Sequence, residues 1–417
     1  MENILEISQN AKRAKTDFVS VSSAEKNAIL NDIAIALDKN RSKIKDQNSL
    51  DVEAAKKSNM SEAMIDRLVL DDKRIDGMIK GIKDIIELDD PLNRILEETK
   101  RPNGLLIRKI SVAIGVLCVI YESRPNVSID VAALCIKSGN VVILKGGKEA
   151  FNSNKILINI VRMVIEKKKY NPDFVKLIET TDREAVKSLL SMNEYIDLVI
   201  PRGGESLIRM VTENSKIPVL KHYKGVCHVY VDKHFNREMA INIIVNGKCQ
   251  RPGVCNAVET LLVHKDVARE FLPVIAEKLI DLKVKLRVCE KSFEILNGHA
   301  VEKATEADWY AEYLDLILAV KIVEDVEEAV NHINKYGSAH SDCIVSTNEE
   351  NSRIFLNKVD SAVVYHNAST RFTDGYEFGK GAEIGISTDR LHARGPVGLE
   401  ELTTYKYVVF GTGQVRG

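Results

Sequence analysis

Cys255 stands in QRPGVCNAVETLLVH (250–264), a polar loop with Gly and Pro ahead of an apolar run. A thiol placed there is a candidate nucleophile. It needs partial exposure and positive potential, which Arg251 and the loop N–H groups can supply. Cys118 and Cys135 lie in apolar runs, Cys343 precedes a strand-like run and Cys289 follows a charged helix. For these a packed thiol is the default. YESRPNV (121–127) puts Asn126 between a strand and a helix, where its amide can donate to an oxyanion or simply cap the helix. LKGGKEA (144–150) joins a strand to a helix through two glycines flanked by Lys145 and Lys148. Backbone N–H groups, a helix dipole and a cation suit a phosphate, although an ordinary turn with exposed lysines reads the same way. Gly203 and Gly204 in VIPRGGES (199–206) repeat the strand–glycine–helix pattern. HNASTRFTDG (366–375) offers Arg371, as a carboxylate anchor or in a solvated turn; with Arg251 it is a candidate for a substrate carboxylate or phosphate. His332 and His340 have no carboxylate at zinc spacing, so no metal site is expected.

The elements that must position these groups read as follows. Ile4, Ile7, Ala11 and Ala14 share a helical face, as do Ile75, Met78, Ile82 and Ile85. Ser22 and Glu25 fit a capping box ahead of Ala28, Ile29, Ile33 and Leu37. Near Leu96 the texture changes, and Asn103–Gly104 predicts a type I′ hairpin. From Gly115 strands (116–122, 140–145, 174–179, 197–201, and 217–221 closing the series) alternate with helices, Pro125 and Gly139 bracketing the first. Such a pattern predicts a mostly parallel sheet that binds ligands beyond its carboxyl ends. A second α/β unit begins near Cys227, and GLEELTTYKYVVF is a candidate terminal strand.

The 417 residues suggest two or three domains with an ample core. Fifty-nine basic and 60 acidic residues give a formal charge of −1, which argues against nucleic-acid binding by bulk charge. Seven cysteines without a CxxC pair argue for reduced thiols rather than a disulfide framework. No run reaches 18 apolar residues and the start has no signal-like apolar region, so a soluble cytoplasmic protein without a membrane partner is expected.

Taken in order, YESRPNV, ALCIKSGNVVILKGGKEA, DLVIPRGG, CNAVETLLV, VEDVEEAVNHINKYGSAHSDCIV, NASTRFTDG and GAEIGISTDRLHARGPVGLEELTTYK resemble the aldehyde dehydrogenase superfamily over essentially the whole chain. The histidine segment and the RLHARGPVGLE tail point to its acyl-phosphate-reducing branch. The resemblance implies an α/β fold with two open parallel domains and a small β oligomerisation element. It would divide the chain into an NADPH-binding domain (1–95 and 112–225, with a return at about 372–385), a catalytic domain (226–371) and a hairpin element (96–111 and 386–417) that joins subunits into a homodimer or higher homo-oligomer. It makes Cys255 the nucleophile and Asn126 an oxyanion donor together with the Cys255 N–H. Lys145 would contact the adenosine ribose and phosphate region, Gly203 and Gly204 the pyrophosphate, and Glu312 the nicotinamide ribose.

Two departures sharpen this. Hydrolytic relatives carry a water-activating Glu in an LELGGK-type segment, whereas LKHYKG has Lys221 there, so water is not expected to resolve the thioester. Lys148 replaces a Glu common in NAD-specific relatives, which favours NADPH. The implied reaction is NADPH-dependent reduction of L-glutamyl 5-phosphate to L-glutamate 5-semialdehyde and phosphate, the second step of proline biosynthesis, with hand-over from a glutamate kinase as an open question. The rivals are NAD-dependent oxidation of an unphosphorylated aldehyde, against which Lys221 speaks, and a catalytically silent scaffold.

Overall fold

Capping and apolar spacing account for the helical opening. In α1 (Ile4–Phe18) the residues Ile4, Ile7, Ala11 and Ala14 are buried on one face. Ser22 Oγ accepts from the Glu25 N–H, and the Glu25 carboxylate accepts from the Ser22 N–H, starting α2 (Ser23–Lys39). Next come α3 (Arg41–Lys57), α4 (Glu62–Leu68) and α5 (Asp72–Glu87), the last burying Ile75, Met78, Ile82 and Ile85.

The structure is a computed structural model, and residues 3–416 are described. It has two compact units. The first takes in the chain through Lys221, then 379–385 and everything from Val397 on; the second is His222–Phe378 with Ile386–Pro396.

After β1 (Ile95–Lys100) and β2 (Leu106–Ala113), the first unit builds β3 (Val116–Tyr121), α6 (Asn126–Ser138), β4 (Val141–Gly146), α7 (Phe151–Lys167), β5 (Val175–Leu177), α8 (Arg183–Leu190), β6 (Leu198–Arg202) and α9 (Glu205–Asn214). Its parallel sheet has the order β5-β4-β3-β6. Every residue of β3 is buried, the pattern of a strand covered on both faces. Gly139 closes α6 at φ +70°, the left-handed cap that glycine adopts without strain. The expected closing strand over 217–221 does not form: one parallel bridge, Val199 to Val219, is all that joins it to the sheet.

In the second unit β7 (Cys227–Val231), α10 (Arg237–Cys249), β8 (Val258–His264), α11 (Lys265–Asp281), β9 (Lys285–Val288), α12 (Glu290–Ile295), β10 (Val301–Lys303), β11 (Ile317–Val323), α13 (Val326–Tyr336), β12 (Ser341–Val345), α14 (Glu349–Lys358) and β13 (Val363–His366) form an α/β array. Its seven-stranded sheet runs β10-β9-β11-β8-β7-β12-β13, all parallel. Short strands β14 (Gly385–Ser387) and β15 (Gly395–Val397) precede β16 (Thr403–Phe410).

The terminal strand joins the hairpin in an antiparallel sheet, β1-β2-β16, within the first unit. The hairpin is not type I′. Arg101 N–H donates to Leu105 O and Gly104 N–H to Arg101 O, with Pro102 second in the turn. Of Asn103 and Gly104 only Gly104 has a positive φ, +88°. Proline pre-sets a type I turn, and a single left-handed glycine then rejoins the strands through a bulge.

Candidate active site

In the second unit the site residues gather at the amino ends of the strands. Cys255 lies in the loop between α10 and β8 and is half-buried. Asn256, beside it, donates from Nδ2 to Thr373 O at 2.8 Å, and its own carbonyl accepts from Thr370 Oγ1 at 2.7 Å. Arg371, on that same strap, donates from Nε to Gln250 Oε1 at 2.8 Å and also reaches Asn256 Oδ1. Burial lowers the Arg371 pKa and the like charge of Arg251 adds to this, while Asp374 and the Cys255 sulfur pull the other way. Two guanidinium groups therefore act on the Cys255 loop, Arg251 exposed and Arg371 half-buried.

Cys227, which sequence reading did not weigh, is buried, and its Sγ donates to the Cys255 carbonyl at 3.3 Å. Burial, then the neighbouring Asp342 and Cys255, push its thiol well above the ordinary value. Cys118 and Cys343 are also buried, each raised to about 12 by burial, and Cys135 is raised further. These four are packing thiols.

Glu312 is half-buried and its Oε1 accepts the Gly225 N–H at 2.8 Å. Lys248, in the last turn of α10, and Glu259, near the start of β8, form a fully buried ion pair at 2.6 Å, so the two feet of the Cys255 loop are tied together. Burial raises Glu259 to about 7 against the pull of Lys248. A lone Glu inside the apolar run AVETLLVH was the sequence signal for this pair, because a buried charge demands a partner. His340 is buried and held neutral by burial and by His222, its pKa near 3; its Nδ1 contacts Ser341 Oγ at 2.8 Å.

In the first unit the candidates stand at carboxyl ends. Asn126 is the first residue of α6 after Pro125, and no side chain caps that helix, so the capping reading fails. Its Nδ2 donates instead to Asp130 Oδ2, one turn on, at 3.0 Å. Burial raises Asp130 to about 6, opposed by the Asn126 amide and by Arg202. Lys145, next to last in β4, is buried, its Nζ donating to Gly146 O at 3.0 Å, and Lys148 is exposed before α7. Lys145, Gly146, Gly147, Asn154, Thr180 and Thr181 line a small recess there. Lys221 is half-buried.

The helix ends at both glycine turns already hold carboxylates. Asp51 of α3 accepts from the backbone N–H groups of Asn152 and Ser153 at 3.1 and 2.8 Å, and from Ser153 Oγ at 2.6 Å. Glu122 accepts the Gly204 N–H at 2.9 Å, and a Cβ on Gly203 would lie 2.3 Å from the same carboxylate. Lys145 and Lys148, rather than open helix N–H groups, are what the first of these turns offers an anion.

Among the described residues no helix is long and apolar enough to cross a membrane. Residues 1–294 match the aldehyde dehydrogenase family. Over 99% of the chain it is 52% identical to the gamma-glutamyl phosphate reductase of Thermoanaerobacter pseudethanolicus, of which 100% is covered. With that of Nautilia profundicola it shares 51% over 99% of both. The crystal structure of gamma-glutamyl phosphate reductase from Thermotoga maritima superposes with a TM-score of 0.98 at 47% identity, covering 100% of both chains. The chain belongs to the aldehyde dehydrogenase family, among its gamma-glutamyl phosphate reductases.

Proposed function

We propose that this chain reduces L-glutamyl 5-phosphate to L-glutamate 5-semialdehyde and phosphate, the second step of proline biosynthesis, through a thioester on Cys255. The observation that carries the reading is full-length identity of about half to reductases of that name. The family uses NAD or NADP, and exposed Lys148 at the carboxyl end of β4 supports NADPH as the partner, because a cation there attracts a 2′-phosphate.

Cys255 attacks the acyl carbon as the thiolate. Arg251 and Arg371 favour that ionised form and receive the departing phosphate dianion. Asn126 and the Cys255 N–H donate to the oxyanion of the tetrahedral intermediate. When bound, the cofactor supplies a hydride to the thioester carbon. The hemithioacetal then collapses and Cys255 recovers its thiol. Lys221 stands where hydrolytic relatives keep a water-activating Glu, so phosphate rather than water is the partner of the thioester in the reverse reaction.

The acyl phosphate is labile, and hand-over from a glutamate kinase in the cytoplasm is part of this reading. So is a homo-oligomer built on the antiparallel sheet, where Leu96 of β1 and Tyr405, Tyr407, Val409 and Phe410 of β16 are exposed. A monomeric mass in solution would remove that element.

The test is NADP+ reduction by glutamate semialdehyde with and without phosphate, in the wild type and in Cys255→Ser. Phosphate-dependent turnover, absent in the variant, is expected. Phosphate-independent release of free glutamate would overturn the reading.

A further inference from the structure

Three segments distant in sequence meet at Gly225, against the backbone of Cys255. An ideal Cβ on Gly225 would lie 1.9 Å from the Cys255 carbonyl oxygen and 2.5 Å from its Cα, so only glycine fits. The Gly225 N–H is held by Glu312 Oε1 at 2.8 Å. The segment that carries Glu312 is itself anchored. Leu314 N–H donates to Glu259 Oε1 at 3.3 Å, and Glu259 Oε2 pairs with fully buried Lys248 at 2.6 Å. Tyr313 OH donates to Asp308 Oδ1 at 2.8 Å. Leu314 has a φ of +53°, a conformation a leucine keeps only where its surroundings over-determine it. Glu312 is thus delivered to Gly225 by a segment with little freedom to slide.

We propose that Glu312 is a positioning residue for the nucleophile: by holding the Gly225 N–H it keeps that glycine pressed on the Cys255 carbonyl and fixes the thiol's placement before any cofactor arrives. The inference rests on Cys255 being the nucleophile and goes beyond the ribose contact that the family resemblance gives Glu312. One carboxylate then serves both partners of the hydride step.

The test is backbone hydrogen exchange of the cofactor-free enzyme, wild type against Glu312→Ala and Glu312→Gln. The glutamine keeps an acceptor oxygen for Gly225. Exchange across 250–257 is expected to be about tenfold faster in Glu312→Ala and unchanged in Glu312→Gln. A role confined to the cofactor predicts wild-type exchange in both variants, with only the KM for the cofactor raised, and that result overturns the proposal. Gly225→Ala probes the same contact with Glu312 intact. It is expected to lower kcat about a hundredfold at unchanged cofactor KM, because its Cβ displaces the Cys255 carbonyl; wild-type kcat in this variant also overturns the proposal. Cys255→Ser separates the two levels: full activity in it removes the nucleophile assignment itself, whereas an inactive Cys255→Ser beside a fully protected Glu312→Ala removes only the role of Glu312.

Discussion

In the first unit Asn126, Lys145, Lys148, Gly203 and Gly204 stand where parallel strands end, and in the second Cys255, Gly225 and Glu312 stand where parallel strands begin. The two ends of such a sheet differ electrically. A carboxyl end leads into helix N-termini, which carry partial positive charge; an amino end follows helix C-termini, which carry partial negative charge. In unit one that positive end is already answered in part by carboxylates, Asp51 at α7 and Glu122 at α9, so an anion there would rely on Lys145 and Lys148 as well. Unit two has no such help, since Cys255 follows the carboxyl end of α10. The thiolate proposed at Cys255 would depend on side-chain cations such as Arg251 and Arg371. One sheet type thus offers two different electrostatic settings at its two ends.

The comparison can be broken at several points. Cys255→Ser should cost about 10⁴-fold or more in turnover, as for a lost covalent nucleophile; steady-state rates of semialdehyde oxidation measure it, and a small loss would mean that Cys255 is not the nucleophile. Asn126→Ala should lower kcat about 10²–10³-fold with little change in cofactor KM, as for a lost oxyanion donor. A change confined to KM would make Asn126 part of the binding apparatus instead. Lys248→Met leaves Glu259 buried without its partner and should cost about 3–5 kcal/mol, whereas Lys248→Met with Glu259→Leu should recover much of that. Denaturant midpoints read both, and equal losses would show that the pair does not act as a unit. Smallest is Lys148→Glu, which should raise the KM for NADPH about tenfold and leave that for NADH nearly unchanged. Equal effects on both cofactors would detach Lys148 from the 2′-phosphate.

Local features were readable because local chemistry sets them. The Ser22–Glu25 box, the Gly139 cap, the buried β3 run and the polar setting of Cys255 all follow from residues within a few positions of one another. What escaped was set by partners far along the chain. Nothing near Gly225 announces that a side chain there would strike Cys255, 30 residues on. Short strands β9 and β10 lack enough residues to show a period. The hairpin was misjudged in detail because Asn-Gly serves two turn types, and Pro102 selects the other.

Asp51 carries a further consequence. The amino end of α7 is finished by a residue about a hundred positions earlier in the chain, so the parallel sheet and the helical opening cannot be separated cleanly. A fragment beginning near residue 112 would contain every strand of that sheet and still lack both the acceptor of the Ser153 N–H and hydroxyl and the helix that covers them. For anyone dissecting this enzyme, the shortest useful piece of the first unit begins before α3, however self-sufficient the strands look on paper.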